Sequence, residues 1–375
     1  MLNQLHLKHF TVFQDTSFDF SPGLNVIIGD NGTGKTHVLK LGYLFLRAWI
    51  DLTSNQIYLG KKRTEAYLEE RLSGLFRIAD LRSLVSHGYE SGATLSANVS
   101  GHLPFLEMWI HWKKTSPAKH PSSEENMQWD ISLHTPKDQA AYVEAVYIPE
   151  DAATNAFVFR PIFIPSKEIV SLFKGLIGLF QNYRQFPLDE TYRDLAVALS
   201  TLEPSEPSPL FPSVSLRILE LLGGELKLED NDLVFIKTNG TRLESQLMAE
   251  GHRKLAMLIY LLRYRLIEDG STLFWDEPET NLNPAAARLL AEALYMLAGQ
   301  GVQVIVATHS LFLLREFEVL SRNEKLPKAA TRFFALGLTN QGVSVSAGNT
   351  LEDCDPLVLL DEDLAQSDRF METLQ

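Results

Sequence analysis

The chain carries one cysteine, Cys354, among its 375 residues. A lone thiol excludes an intramolecular disulfide and any cysteine-cluster zinc site. Long apolar runs are missing too, since no stretch approaches the ~20 apolar residues that a membrane helix needs. The opening MLNQLHLKHF lacks the basic start, apolar segment and small-residue cleavage site of a secretory signal. Internal repeats and sustained heptads are absent, so no solenoid or long coiled-coil arm is expected. Cations are in deficit: 34 Lys and Arg face 47 Asp and Glu, for a formal net charge of −13. A protein whose whole surface wraps nucleic acid is usually basic. At most a local groove is left, with the run Lys61-Lys62-Arg63 as its candidate. The expectation is a cytoplasmic protein without a membrane partner.

Against these absences stands a glycine-rich string. Gly29-Asp30-Asn31-Gly32-Thr33-Gly34-Lys35-Thr36 fits the pattern G-x-x-x-x-G-K-[ST]. Leu24–Ile28 before it is a short apolar, β-branched run and reads as a buried strand. From Thr36 to Ile50 the apolar residues recur at helical spacing. Strand, loop and helix therefore follow in the order that a phosphate-binding loop requires. Glycines let the backbone approach phosphate oxygens without a Cβ in the way. The helix start offers free N–H groups and the positive end of its dipole. Lys35 is expected to lie between the β- and γ-phosphates of ATP, and the Thr36 hydroxyl to ligate Mg2+.

A second constellation lies far downstream. Thr272–Trp275 is an apolar strand that runs into Asp276-Glu277-Pro278-Glu279. Taken alone, these acids read as a helix-capping turn before Pro278. With a phosphate loop upstream, Asp276 is the expected Mg2+ ligand and Glu277 the expected general base for the attacking water. Asn281-Leu282-Asn283-Pro284 then opens a helix, and Val302–Ala307 is another buried strand, ending in Thr308-His309-Ser310.

These strings resemble the Walker A, Walker B, D-loop and switch-histidine segments of ABC-type ATPases, in the RecF/SMC/OLD branch rather than that of membrane transporters. The likeness covers about the first 50 and last 130 residues, and the middle only by layout. It implies an α/β P-loop NTPase with an ABC-type ATPase head: a mixed core sheet, an antiparallel β subdomain and a helical lobe. His309 would sense the γ-phosphate. Such ATPases close head to tail around two nucleotides, each capped by the partner's LSGGQ-type helix start. The corresponding string here is Met248-Ala249-Glu250-Gly251-His252-Arg253-Lys254. Ala249 stands where serine is usual and Glu250 where the first glycine is usual, so Gly251 is the residue left to meet a phosphate in trans. The added carboxylate would be repulsive there unless Arg253 or Lys254 compensates. No glutamine stands at the Q-loop position. Phe163-Ile164-Pro165-Ser166-Lys167-Glu168 takes its place, either as a coupling segment between lobes or with Ser166 capping the next helix.

The expected organisation is an N-terminal part of the head over 1–165, a helical lobe over 166–245, the C-terminal part of the head over 246–345, and an acidic, irregular tail over 346–375. Strands are expected in ATLSANVSGH, LEMWIHWKK, MQWDISLH and YVEAVYI, with an exposed loop at 115–126 and a long helix over Ser245–Ile267. Asp361-Glu362-Asp363 imitates a Toprim metal pair but lacks the preceding strand-borne glutamate, and reads as a solvated tail. The expected function is an ATPase switch, with ATP and Mg2+ as ligands. It would form a homodimer and control an effector protein, nuclease or toxin-like, of the kind found in bacterial anti-phage defence. The alternative is a RecF-like ATPase that clamps DNA in repair.

Overall fold

The computed structural model describes residues 1–54, 61–89, 92–99, 106–114, 127–134, 161–183, 187–340, 342–355 and 358–373. The chain divides into two compact units. The first contains 1–20, 40–158 and 338–344, the second 21–39, 159–337 and 345–375.

Alternating apolar and polar residues build the first unit. β1 (Leu2–Phe10) and β2 (Phe13–Asp19) form a hairpin, and β4 (Ala93–Val99), β5 (Leu106–Lys114) and β6 (Met127–His134) extend it into an antiparallel sheet of order β2-β1-β4-β5-β6. Alternation is the signature of a sheet with one face on a core, and Leu5, Leu7, Phe10, Leu95 and Ala97 are buried. Most of α1 (Lys35–Ser54) and all of α2 (Lys61–Phe76) belong to this unit. The three expected strands at β4, β5 and β6 are present. The expected strand YVEAVYI and the loop at 115–126 lie outside the described residues, as do the side chains of Lys61, Lys62 and Arg63.

The second unit is built on continuous apolar runs. β3 (Leu24–Gly29), β11 (Thr272–Asp276) and β12 (Gln303–Thr308) are buried at every position. Strands covered on both faces read this way in parallel sheets, and the pairings of β3 with β12 and of β12 with β11 are parallel. β7 (Ile162–Ile164) adds to β11, and β13 (Thr331–Thr339) adds to β3. With β14 (Gly342–Gly348) beyond β13, the order is β14-β13-β3-β12-β11-β7. The sheet is mixed with a parallel core, as expected.

Helices cover this sheet. They include α3 (Leu176–Asn182), α4 (Glu190–Leu199), α5 (Phe211–Leu222), α6 (Glu250–Arg263), α7 (Pro284–Gly299) and α8 (Leu311–Ser321). Every residue of α6 from Leu255 to Leu262 is buried, which is why its sequence is apolar all round. A small antiparallel sheet of β8 (Gly224–Glu229), β9 (Asp232–Lys237) and β10 (Arg242–Glu244) stands beside α6.

Two expectations about helices are corrected. The pattern over Ser245–Ile267 is not one helix. A 3-10 turn at Ser245–Leu247 gives way to extended backbone at Met248 and Ala249, and α6 starts only at Glu250. It stops at Tyr264, after which Arg265 adopts φ +58°. Apolar residues continue through both breaks, with Met248 buried before α6 and Tyr264 and Ile267 buried after it. The tail is not irregular either: α9 (Val358–Glu372) is helical, and Arg315 of α8 pairs with its Asp363 at 3.0 Å. Frequent acids disguised the helical period.

Candidate ATP site

The carboxyl ends of β3, β12 and β11 lie side by side, because these strands are parallel neighbours. Thr308 pairs with Ile28, and Ala307 with Asp276. Crevices beyond the carboxyl ends of parallel strands are where α/β proteins bind ligands. Every expected same-chain site residue reaches this edge.

The loop after β3 is held open by its own backbone. Gly29 has φ +155°, and a Cβ there would lie 2.5 Å from the Leu336 carbonyl oxygen. Neither the dihedral nor the space suits another residue. Asp30, Asn31 and Gly32 form the turn, and Thr33 donates its hydroxyl to the Asp30 carbonyl at 2.8 Å. Gly34 accepts from Val38 N–H at 3.1 Å, which starts the helix. Lys35 is 7% exposed and donates from Nζ to the carbonyls of Gly29 (2.6 Å) and Asp30 (2.8 Å). Its pKa is held below the ordinary lysine value by burial, against the pull of Glu277, Asp276, Asp30 and Glu279. The ammonium thus arches over the loop in which phosphates would lie.

Thr36 donates its hydroxyl to Asp276 Oδ2 at 2.8 Å, across 240 residues of chain. A hydroxyl and a carboxylate meeting beside a phosphate loop are the oxygen donors that Mg2+ takes from a P-loop protein. The residues present fit that ion.

Glu277 follows with left-handed backbone, φ +48°. Such a dihedral persists only where its surroundings enforce it. Here Glu277 N–H donates to Ala307 O (2.9 Å), while its carbonyl accepts from Thr280 Oγ1 (2.9 Å) and Lys254 Nζ (3.4 Å). The turn directs the carboxylate toward His309, whose Nδ1 is 3.4 Å from Glu277 Oε1. The His309 side chain is 48% exposed.

The signature-like string sits at the start of α6, whose N-cap Ala249 makes no side-chain capping bond. Gly251 is buried against the loop before α7. A Cβ there would lie 2.6 Å from the Asn281 carbonyl oxygen and 2.9 Å from Leu282 Cδ2. Glycine is therefore demanded within one copy of the chain. Gly251→Ala is expected to destabilise the fold by about 1–3 kcal/mol in urea titration, although alanine is otherwise the better helix former. A stabilised variant would show that the helix start moves freely from Asn281.

Arg253 is engaged away from Glu250, whereas Lys254 feels the charge of Glu250 from inside the fold. Arg253 Nε pairs with Glu168 Oε1 at 2.8 Å, with both side chains nearly buried, and its Nη1 donates to the carbonyls of Gln246 and Met248. Lys254 is fully buried and directed at the Glu277 carbonyl. Desolvation lowers the Lys254 pKa, opposed by Glu250, Glu279, Glu277 and Glu168. The Phe163–Glu168 segment does meet α6, through Glu168. Ser166 does not cap the turn at Val170–Leu172, where Ser171 donates instead to the Glu168 carboxylate. Sequence reading missed the Arg253–Glu168 pair, since no motif names Glu168 as a partner.

Known proteins share this layout. Residues 170–315 match a family profile described as "AAA domain, putative AbiEii toxin, Type IV TA system", and residues 4–40 match a second AAA-domain profile. The chain is 44% identical over 55 residues to the DNA replication and repair protein RecF of Limosilactobacillus reuteri, a stretch covering 15% of each chain. It is 50% identical over 42 residues to RecF of Desulfitobacterium hafniense, covering 11% of this chain and 12% of that one. Similarity to these relatives thus spans under a sixth of their length. The fold as a whole is similar to an SMC head bound to the C-winged helix domain of ScpA, with TM-score 0.52, 13% identity, and coverage of 94% of this chain and 98% of that one. A second SMC head, with an extended coiled coil and bound to a ScpA C-terminal domain derived from Pyrococcus furiosus, gives TM-score 0.51 at 13% identity, covering 96% and 98%. The fold is that of the SMC heads, and the two profile matches identify AAA-domain sequence at residues 4–40 and 170–315.

Proposed function

We propose that this chain, an ABC-class protein of the RecF/SMC branch, binds and hydrolyses ATP as a switch that closes a homodimer and acts on a partner effector. The observation that carries the reading is the 2.8 Å bond between Thr36 and Asp276, which joins the phosphate loop to the acidic strand end. Lys35 and the loop N–H groups hold the phosphates. Thr36 and Asp276 would hold Mg2+, which would supply Lewis-acid stabilisation of the developing phosphate charge when bound. Glu277 accepts a proton from the attacking water, and His309 stands beside it toward the γ-phosphate. ATP is cleaved to ADP and phosphate, and the remaining face of the nucleotide is closed by the Gly251 helix start of a second copy.

The effector is a nuclease or toxin-like protein in the anti-phage reading, for which the family profile over 170–315 is the support. The RecF match favours a second reading, a DNA-clamping repair ATPase. Light scattering on the purified chain tests the switch: ATP with Mg2+ is expected to double the mass, and ADP to leave it monomeric. A monomer in both states removes the dimer. Turnover stimulated by DNA and falling steeply with salt would establish the second reading instead.

A further inference from the structure

Glu279 has no role in the site as described, yet its side chain is 10% exposed and lies within it. Its Oε1 accepts from Thr308 Oγ1 at 2.6 Å and from His309 N–H at 3.4 Å, and stands 3.8 Å from His309 Nδ1. We infer that Glu279 is a positioning residue for His309: it ties the turn after β12 to the acidic loop after β11, and so sets the angle at which His309 faces Glu277. The inference rests on the ATPase reading above.

Three features carry it. Thr308 is fully buried, so its hydroxyl has no water to replace the carboxylate. That hydroxyl also accepts from Ser310 N–H at 2.9 Å, so one bonded chain runs from the start of α8 through Thr308 to Glu279. The second carboxylate oxygen, Oε2, is buried without a hydrogen-bond partner. A buried acceptor left unmade costs free energy, and what is gained in return is the hold of Oε1 on the Thr308–His309 turn. The buried Lys35 and Lys254 of the site both feel the charge of Glu279. Other roles fit less well. No cluster of three or more metal-ligating side chains exists among the described residues. As a base, Glu279 is more enclosed than Glu277, whose side chain is 30% exposed.

The test reads kcat against nucleotide Kd and melting temperature. Glu279→Ala is expected to lower kcat about 100-fold, because small misplacements of a reacting group cost that much. Its ATP affinity should stay within about threefold of the unaltered chain, since Lys35 and Thr36 are untouched. Glu279→Gln keeps an oxygen for Thr308 and should recover most of the loss. Thr308→Val removes the other end of the bond and should copy Glu279→Ala, with Thr308→Ser restoring turnover. The two damaging changes act through one bond, so the double variant should lose no more than the worse single one. If Glu279→Ala does not fold, the Thr308 pair carries the test. Turnover that survives both changes, or losses that multiply, overturns the inference. A general structural role would lower the melting temperature without this pattern in kcat. An unaltered chain that hydrolyses no ATP overturns the functional reading itself, and this inference with it.

Discussion

Glu277→Gln is expected to stop ATP hydrolysis while leaving ATP bound. Glutamine nearly matches glutamate in size and can keep the contact with His309, but it cannot accept a proton from water. General-base catalysis is worth about 10²–10⁴-fold, and turnover should fall by that factor. Binding should hold, because the proposed phosphate and metal ligands Lys35, Thr36 and Asp276 are left in place. The backbone of residue 277 should hold as well. Its φ of +48° is enforced by Ala307, Thr280 and Lys254 through main-chain atoms that the substitution leaves in place. If ATP closes the dimer and hydrolysis opens it, the variant should accumulate as an ATP-dependent dimer on gel filtration. Near-normal turnover would remove Glu277 as the base. Lost turnover with an unchanged mass would keep the base and remove the dimer.

Lys35→Ala should have the second large effect, on affinity rather than rate. The ammonium is 7% exposed and bonded to the Gly29 and Asp30 carbonyls, so its position is fixed before any ligand arrives. Charge-assisted hydrogen bonds to phosphate are each worth about 1.5–3 kcal/mol. Losing the lysine should weaken ATP binding by about 100-fold or more, as a loss of about 2.7 kcal/mol or more implies. Two loop carbonyls would also lose their donor, so a modest fall in melting temperature should accompany the change. Calorimetric titration with ATP checks the first effect and thermal unfolding the second. An affinity within about threefold of the unaltered chain would show that phosphates do not lie under this residue.

Much of the site was legible because it sits on β3, β11 and β12. Strands buried on both faces leave continuous apolar runs, and a charged or glycine-rich string at the end of such a run stands out. LNVIIG before the loop, TLFWD before Glu277 and QVIVAT before His309 all do so. Elements bounded by backbone geometry were less legible. The start of α6 at Glu250 depends on two extended residues, Met248 and Ala249, that are no more polar than the helix after them. In α9, acids at close spacing hid the helical period. Glu279 looked like one more acid in a motif, because its meaning lies in Thr308, 29 residues further along the chain.

By itself the sequence determined the kinds of chemistry present: a phosphate loop, an acidic strand end and a histidine after a buried strand. Local spacing suffices there, since each motif occupies neighbouring residues whose shape follows from glycine freedom, strand burial and helix starts. Only the tertiary structure decided that Thr36 meets Asp276, that Glu279 holds the turn of His309, and that Gly251 is packed against Asn281. Parallel strands bond through backbone groups that every residue shares, so sequence carries little record of which strand lies beside which. Adjacency of β3, β12 and β11 is what turns three separate strings into one site.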